Sequence, residues 1–328
     1  MSKINSIEVV VESLSRQGEN NLAITLVSPS YSNLPIWKAG DHIDIFLPNN
    51  LIRQYSLTGT PLNKNEYIIC IKKDKESKGG SKYIHENIRI GQKLKISFPR
   101  SAFPLVDGGK HILLAGGIGI TPLLAMAEEL ENRASPFYLF YYVGKTEEIA
   151  FSKRWKHGFK HGEYHILKSS QGESIRNGLP DICKEINFND HLYICGSNNF
   201  IEFCKNEAIE MGLRLNQIHY ENFKPPKLID DKNEIKLDRK NFIVILHSTG
   251  QKFLIPEDKS IAQVLMENQI FVPISCEVGM CGACLTRICQ GEVDHQDTVQ
   301  SESEKQADQQ FIALCCSRAK GEFLEIDL

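Results

Sequence analysis

The stretch SCEVGMCGAC, residues 275–284, places Cys276, Cys281 and Cys284 in a Cys-x4-Cys-x2-Cys pattern, and Cys315 follows well downstream. That spacing constrains the fold more than any other feature: one loop must aim three sulfurs at a common point while a remote segment supplies a fourth. It is the spacing of a plant-type [2Fe–2S] site. The chain has 10 cysteines, and those after residue 275 are Cys276, Cys281, Cys284, Cys289, Cys315 and Cys316. Clustering in a reducing compartment favours metal or redox chemistry over structural disulfides. A structural zinc site remains an alternative, although zinc usually takes two close ligand pairs. A thioredoxin-like Cys281–Cys284 pair is another, without the βαβ context it needs. Gly279 and Gly282 permit the torsions by which a loop turns backbone N–H groups toward an anionic cluster. Spacing leaves the choice between Cys315 and Cys316 open. Cys70, Cys183, Cys204 and Cys289 are expected to pack as small apolar residues.

The rest of the composition is that of an ordinary globular protein, with 41% hydrophobic and 24% charged residues in 328. A formal net charge of -3 argues against a nucleic-acid partner. The longest apolar run, ILLAGGIGITPLLAMA, is too short for a bilayer and is interrupted by glycine and proline. MSKINSIEVVVESL shows no apolar core before a small-residue cleavage site, so a cytoplasmic location is the expectation.

Residues 1–106 read as short strands, among them AITLVS, HIDIFL and EYIICIKK, separated by turn signals, and predict an antiparallel barrel. From residue 107 to 226 the buried-strand runs HILLAG, FYLFYYVG and HLYICG alternate with helical segments, which predicts an α/β domain with a parallel sheet. The proline- and charge-rich string FKPPKLIDDKNEIK reads as a linker, placed at 227–236, and a third domain follows at 237–328.

Two glycine-lined strand ends stand out in the middle domain. LLAGGIGITP puts Gly117 and Gly119 between a buried strand and a helix, with Thr121 as a cap and Pro122 at the helix start, a place able to receive a pyrophosphate. A tight structural turn explains the string equally well. Cys195–Gly196, in YICGSNNF, brings small residues to the same sheet edge. In the first domain, RQYSL places Arg53, Tyr55 and Leu57 on one side of a strand and Ser56 on the other. KGGS follows, with Lys78, Gly79, Gly80 and Ser81 at a helix start that suits a phosphate.

Taken in order, RQYSL, KGGS, GGIGITP, CGS and the cysteine loop resemble the motifs of the phthalate dioxygenase reductase family over essentially the whole chain. The resemblance implies an FMN-binding barrel, an NAD-binding α/β domain and a β-grasp ferredoxin domain. It implies that Arg53 binds the flavin phosphate with Lys78, Gly79, Gly80 and Ser81, that Tyr55 lies against the isoalloxazine, that Ser56 serves flavin N5, and that Leu57 is among the cofactor-binding residues. It further implies that Gly117, Gly119, Thr121 and Pro122 take the NADH pyrophosphate, and that Cys195 and Gly196 sit beside the nicotinamide. Phe223 resembles the aromatic residue covering the flavin, its alternative being a core aromatic. LCCSRA resembles a family string whose cysteine is the last ligand, so Cys315 joins Cys276, Cys281 and Cys284. KTEE, after FYLFYYVG, offers no arginine cluster for a 2′-phosphate, which favours NADH over NADPH.

The implied activity carries electrons from NADH through FMN and the [2Fe–2S] cluster to a Rieske-type terminal oxygenase acting on a small organic molecule, by a reductase that is monomeric on its own. QGEVDHQDTVQSESEKQ, acidic and polar, is a candidate docking face or a plain solvated surface. Rival readings are an electron-transfer subunit that does not oxidise NADH, a zinc or redox sensor, and a reductase serving a cytochrome P450 or di-iron oxygenase.

Overall fold

Alternating apolar residues in the first hundred positions close into a barrel. The strands are β1 (Ser6–Gln17), β2 (Asn21–Val27), β3 (Asp41–Phe46), β4 (Ile52–Thr58), β5 (Glu66–Lys72), β6 (Lys93–Ser97) and β7 (Arg100–Ser101), with helix α1 (Gly80–Asn87) between β5 and β6. Strand order β4-β5-β2-β1-β6-β3-β7, with a further β4–β3 pairing, leaves β1–β6 without a free edge. Ile24, Leu26, Ile43, Ile45, Leu57, Ile69 and Ile96 are fully buried. A register shift between Val11 and Ser13 lets the long β1 bend between its two partners. This computed structural model describes residues 6–48, 51–74, 79–223, 241–268, 270–274, 277–307 and 309–328. Lys78, Cys276 and the expected linker lie outside the described residues.

Beyond the barrel come β8 (His111–Gly116), α2 (Ile120–Asn132), β9 (Phe137–Val143), α3 (Ser152–Trp155), β10 (Gly162–Lys168), β11 (His191–Gly196), α4 (Asn198–Glu210) and β12 (Ile218–Asn222). They form a parallel sheet of order β10-β9-β8-β11-β12. The direction of winding reverses between β8 and β11, the point where such sheets open a crevice for ligands.

Barrel and sheet, expected as two domains, form one compact unit, Met1–Lys224. Their apolar residues are continuous: Leu26, Leu57 and Ile69 of the barrel belong to the same core as Leu123, Leu124 and Met126 of α2. Polar contacts add to this. The Val106 N–H donates to the Tyr193 hydroxyl at 2.8 Å, and the Val106 carbonyl lies 3.0 Å from His111 Nε2. Lys145 pairs with Glu19 of the barrel at 2.9 Å.

The second unit, Pro225–Leu328, has a core of its own. Its elements are β13 (Phe242–Leu246), β14 (Lys252–Ile255), α5 (Ile261–Glu267), β15 (Leu285–Gln290), β16 (Val293–Asp294), α6 (Glu302–Lys305), β17 (Phe311–Ala313), β18 (Arg318–Ala319) and β19 (Phe323–Ile326). The sheet runs β14-β13-β19-β15-β17, with β13 and β19 parallel. Helix α5 packs Ile261, Ala262, Val264 and Leu265 into the core. Its start is fixed by a capping box in which Ser260 Oγ accepts the Gln263 N–H at 3.2 Å and Gln263 Oε1 accepts the Ser260 N–H at 2.9 Å. This is the β-grasp arrangement. Among the described residues no helix is long and apolar enough to cross a membrane.

Candidate functional site

The two glycine motifs of the parallel sheet meet. Gly117–Gly119 forms a single 3-10 turn between β8 and α2, and Gly117 adopts φ +56°. A Cβ at Gly119 would strike the Cys195 carbonyl and come within 2.7 Å of the Gly196 nitrogen, so only glycine lets the two strand-end turns touch. They lie on neighbouring strands, Cys195 opposite Ala115, at the winding reversal. The details of the helix start differ from expectation. Gly119 is the N-cap of α2, without a side-chain bond; Thr121 is inside the first turn and its hydroxyl donates back to the Ile118 carbonyl at 3.1 Å. Pro122 is the third helical residue, where its missing N–H also costs no helical bond.

Cys195 is fully buried, and burial keeps its thiol protonated well above the ordinary range. Opposite it on β12 is Glu221, a residue that reading the chain locally does not single out. The Glu221 carboxyl is 6% exposed and accepts the Ser56 hydroxyl at 3.3 Å, a contact spanning 165 residues. Burial pushes its pKa up to about 8, a rise only partly opposed by the Ser56 hydrogen bond. Ser56 on the barrel and Glu221 and Cys195 on the sheet thus form one buried group. Phe223, two residues after Glu221, is 40% exposed at the end of β12 and is no core aromatic. Tyr55 is half-buried, and burial raises its phenol well above its ordinary range. Leu57 points into the core and offers no side chain to an open site.

Near the same strand, Arg53 lies over the start of α1. A Cβ on Gly80 would come within 2.6 Å of Arg53 Cγ and Nε, so glycine there makes room for the guanidinium stem. Gly79, at φ 101°, is the N-cap of α1 and has no side-chain bond. Ser81 is not the cap: its hydroxyl accepts the Asp74 N–H at 3.2 Å. An arginine beside a glycine-lined helix start fits the phosphate of a bound flavin mononucleotide.

In the second unit, Cys284 and Cys315 are buried and Cys281 is half-buried. The Gly279 N–H donates to Cys315 Sγ at 3.2 Å, which is the backbone-to-sulfur geometry a thiolate-held cluster requires. Gly279 and Gly282 take φ +76° and +71°. Among the described residues, which do not include Cys276, no three His, Cys, Asp or Glu side chains converge as metal ligands. The acidic segment 290–306 braces this loop with part of its length. Thr298 and Val299 donate N–H groups to the Gly279 carbonyl at 3.0 and 3.2 Å, and buried Asp297 accepts from Gln300 and Ser317. Cys70, Cys183 and Cys204 are buried as expected, and burial lifts the first two thiols to about 12. Cys289 is exposed, contrary to expectation, because the β15–β19 register slips between Ile288 and Gln290 and turns it outward.

Barrel, nucleotide-type sheet and cysteine-loop domain together define a modular electron-transfer oxidoreductase. Residues 244–320 match the family described as 2Fe-2S iron-sulfur cluster binding domain. The chain is 38% identical over 325 residues to a vanillate O-demethylase oxidoreductase of Pseudomonas sp., covering 98% of this chain and 100% of that one. It is 32% identical to the carnitine monooxygenase reductase subunit of Escherichia coli, covering all of both. The solved structure of phthalate dioxygenase reductase, described as modular for electron transfer from pyridine nucleotides to [2Fe–2S], superposes with a TM-score of 0.71 at 30% identity over 98% of each chain. The chain belongs to this family of oxygenase reductases.

Proposed function

We propose that this reductase takes electrons from NADH, holds FMN on its barrel (1–106) and a [2Fe–2S] cluster on its β-grasp domain (237–328), and serves a Rieske-type terminal oxygenase as a soluble cytoplasmic monomer. When bound, the flavin supplies the exchange between two-electron nicotinamide and one-electron cluster chemistry. The observation that carries the reading is the Ser56–Glu221 hydrogen bond beside Cys195, which ties the flavin-type strand β4 to the ligand edge of the parallel sheet.

Each residue then has a definite task. Arg53, with Gly79, Gly80 and Ser81 at the α1 start, opposes the flavin phosphate, joined by Lys78; Tyr55 flanks the ring, with Leu57 packed behind the strand. Gly117 and Gly119 admit the nucleotide pyrophosphate to the α2 start, where Thr121 and Pro122 fix the first turn. Cys195 and Gly196 give the nicotinamide a small, uncharged floor. Ser56 donates a hydrogen bond at Oγ, and Glu221, its pKa raised to about 8 by burial, is mostly protonated in neutral solution. Phe223 screens the flavin face from water until nicotinamide takes its place. Cys276, Cys281, Cys284 and Cys315 hold the cluster.

Anaerobic titration with NADH, followed by visible absorbance and EPR, tests the reading. Flavin bleaching together with a reduced [2Fe–2S] signal is expected. Bleaching without that signal, or no bleaching at all, sinks it. Reduction of a Rieske protein but not of a cytochrome P450 by the loaded reductase tests the partner.

A further inference from the structure

A buried acid lies between the two segments that carry the cluster cysteines. Asp297 belongs to the irregular stretch between β16 and α6, and its side chain is fully buried. Burying a carboxyl group is costly unless its oxygens find donors, and here both do. Oδ1 accepts the Ser317 hydroxyl at 3.3 Å and the Gln300 side-chain amide at 3.2 Å, while Oδ2 accepts the Gln300 N–H at 3.1 Å. Ser317, two residues after Cys315, in turn accepts the Gln296 N–H at 3.1 Å. Asp297 is thereby fastened to the turn that carries Cys315. The residues that follow it fasten the other segment, since Thr298 and Val299 donate to the Gly279 carbonyl at 3.0 and 3.2 Å. The approach is close: a Cβ on Gly279 would lie 2.8 Å from Asp297 Cα, so only glycine permits it. Gly279 closes the ring, its N–H donating to Cys315 Sγ at 3.2 Å.

We propose that Asp297 is a positioning residue: by tying Ser317 to the 296–300 stretch it holds the Gly279 N–H on the Cys315 sulfur and so raises the reduction potential of the bound cluster. The inference rests on the reading of Cys315 as a ligand. Reduction adds negative charge to the cluster and its sulfurs, so an N–H held on one of them favours the reduced form. Releasing the tie frees Gly279 to move off the sulfur, and the reduced form loses that support.

The test is redox titration of the full-length protein followed by EPR, with iron and acid-labile sulfide counted per chain. The proteins compared are the wild type, Ser317→Ala, Gln300→Met, Asp297→Asn, Cys315→Ser, and Asp297→Asn combined with Ser317→Ala. Ser317→Ala and Gln300→Met change no charge; each is expected to keep full iron and sulfide and to titrate at a more negative potential. In the Asp297→Asn background, Ser317→Ala should move the potential by no more than about half as much, because the tie it removes is already weakened. That comparison cancels whatever the lost acid does to the potential by itself. Equal shifts in the two backgrounds would mean that Ser317 acts on Cys315 directly, and would overturn the proposal. An unchanged potential in both neutral variants would leave Asp297 as packing, and loss of the cluster from both would make the network part of the site itself; either result overturns it. A wild-type signal and potential in Cys315→Ser, or no cluster in the wild type, would sink the underlying reading and the proposal with it.

Discussion

Glu221 is a carboxyl group where a carboxylate is unwelcome. Its neighbours are the buried thiol of Cys195 and the hydroxyl of Ser56, and no cation is paired with it in the hydrogen bonds or ion pairs described. Its folded pKa, about 8, stands above that of the unfolded chain. Folding therefore takes up a proton between those two values, and stability falls as pH rises through that window, levelling above about 8. Urea unfolding at pH 5 and pH 8.5 should show this fall in the wild type and a flatter profile in Glu221→Gln; equal slopes would mean the group is ionised in the folded protein. The residue was not visible in the sequence because HYENF says nothing of a hydroxyl 165 positions earlier. Arg53, Ser56 and the glycines were visible, since each belongs to a short string whose chemistry is local. Thr121 and Pro122 were found but placed two positions out, because the α-helix begins at Ile120, directly after the 3-10 turn at Gly117–Gly119 and two residues before the proline.

At the level of elements, legibility follows burial on both faces. β8, β9 and β11 are apolar runs flanked by helices and can be read directly. β10, with the sequence GEYHILK, lies at the sheet edge with a mixed burial pattern and leaves no comparable run. The irregularity in β15 has a similar effect on a single thiol. Periodicity would bury Cys289, but the slip in pairing exposes it. Native protein treated briefly with a maleimide and digested for mass spectrometry should carry label at Cys289 at least about tenfold faster than at Cys70, Cys183 or Cys204, whose thiols are both enclosed and protonated. Comparable labelling of all four would contradict the bulge.

For the molecule as a whole, three sequence segments become two compact units. The change in strand and helix pattern near residue 107 is real, yet Leu26 and Leu57 share a core with Leu123 and Met126, which no pattern of periodicity reveals. The second body has a separate core built from Phe242, Val244, Ile312, Leu324 and Ile326. A chain ended after Lys224 should therefore fold, retain flavin and oxidise NADH with ferricyanide at a rate within about threefold of the full protein, while losing one-electron delivery to a partner. Aggregation of that fragment, or loss of its ferricyanide activity, would show that the two bodies depend on each other.

The position of β19 has a consequence for biosynthesis. Among the described residues it is the last strand in chain order, yet it lies between β13 and β15 at the centre of its sheet. While a ribosome is still translating, the barrel and parallel sheet are already complete, but β13 and β15 have nothing to join them. Cysteines 281, 284 and 315 emerge before the strand that unites their sheet. Cluster insertion thus belongs after β19 has been made and paired, whereas the strands of the barrel are complete well before it.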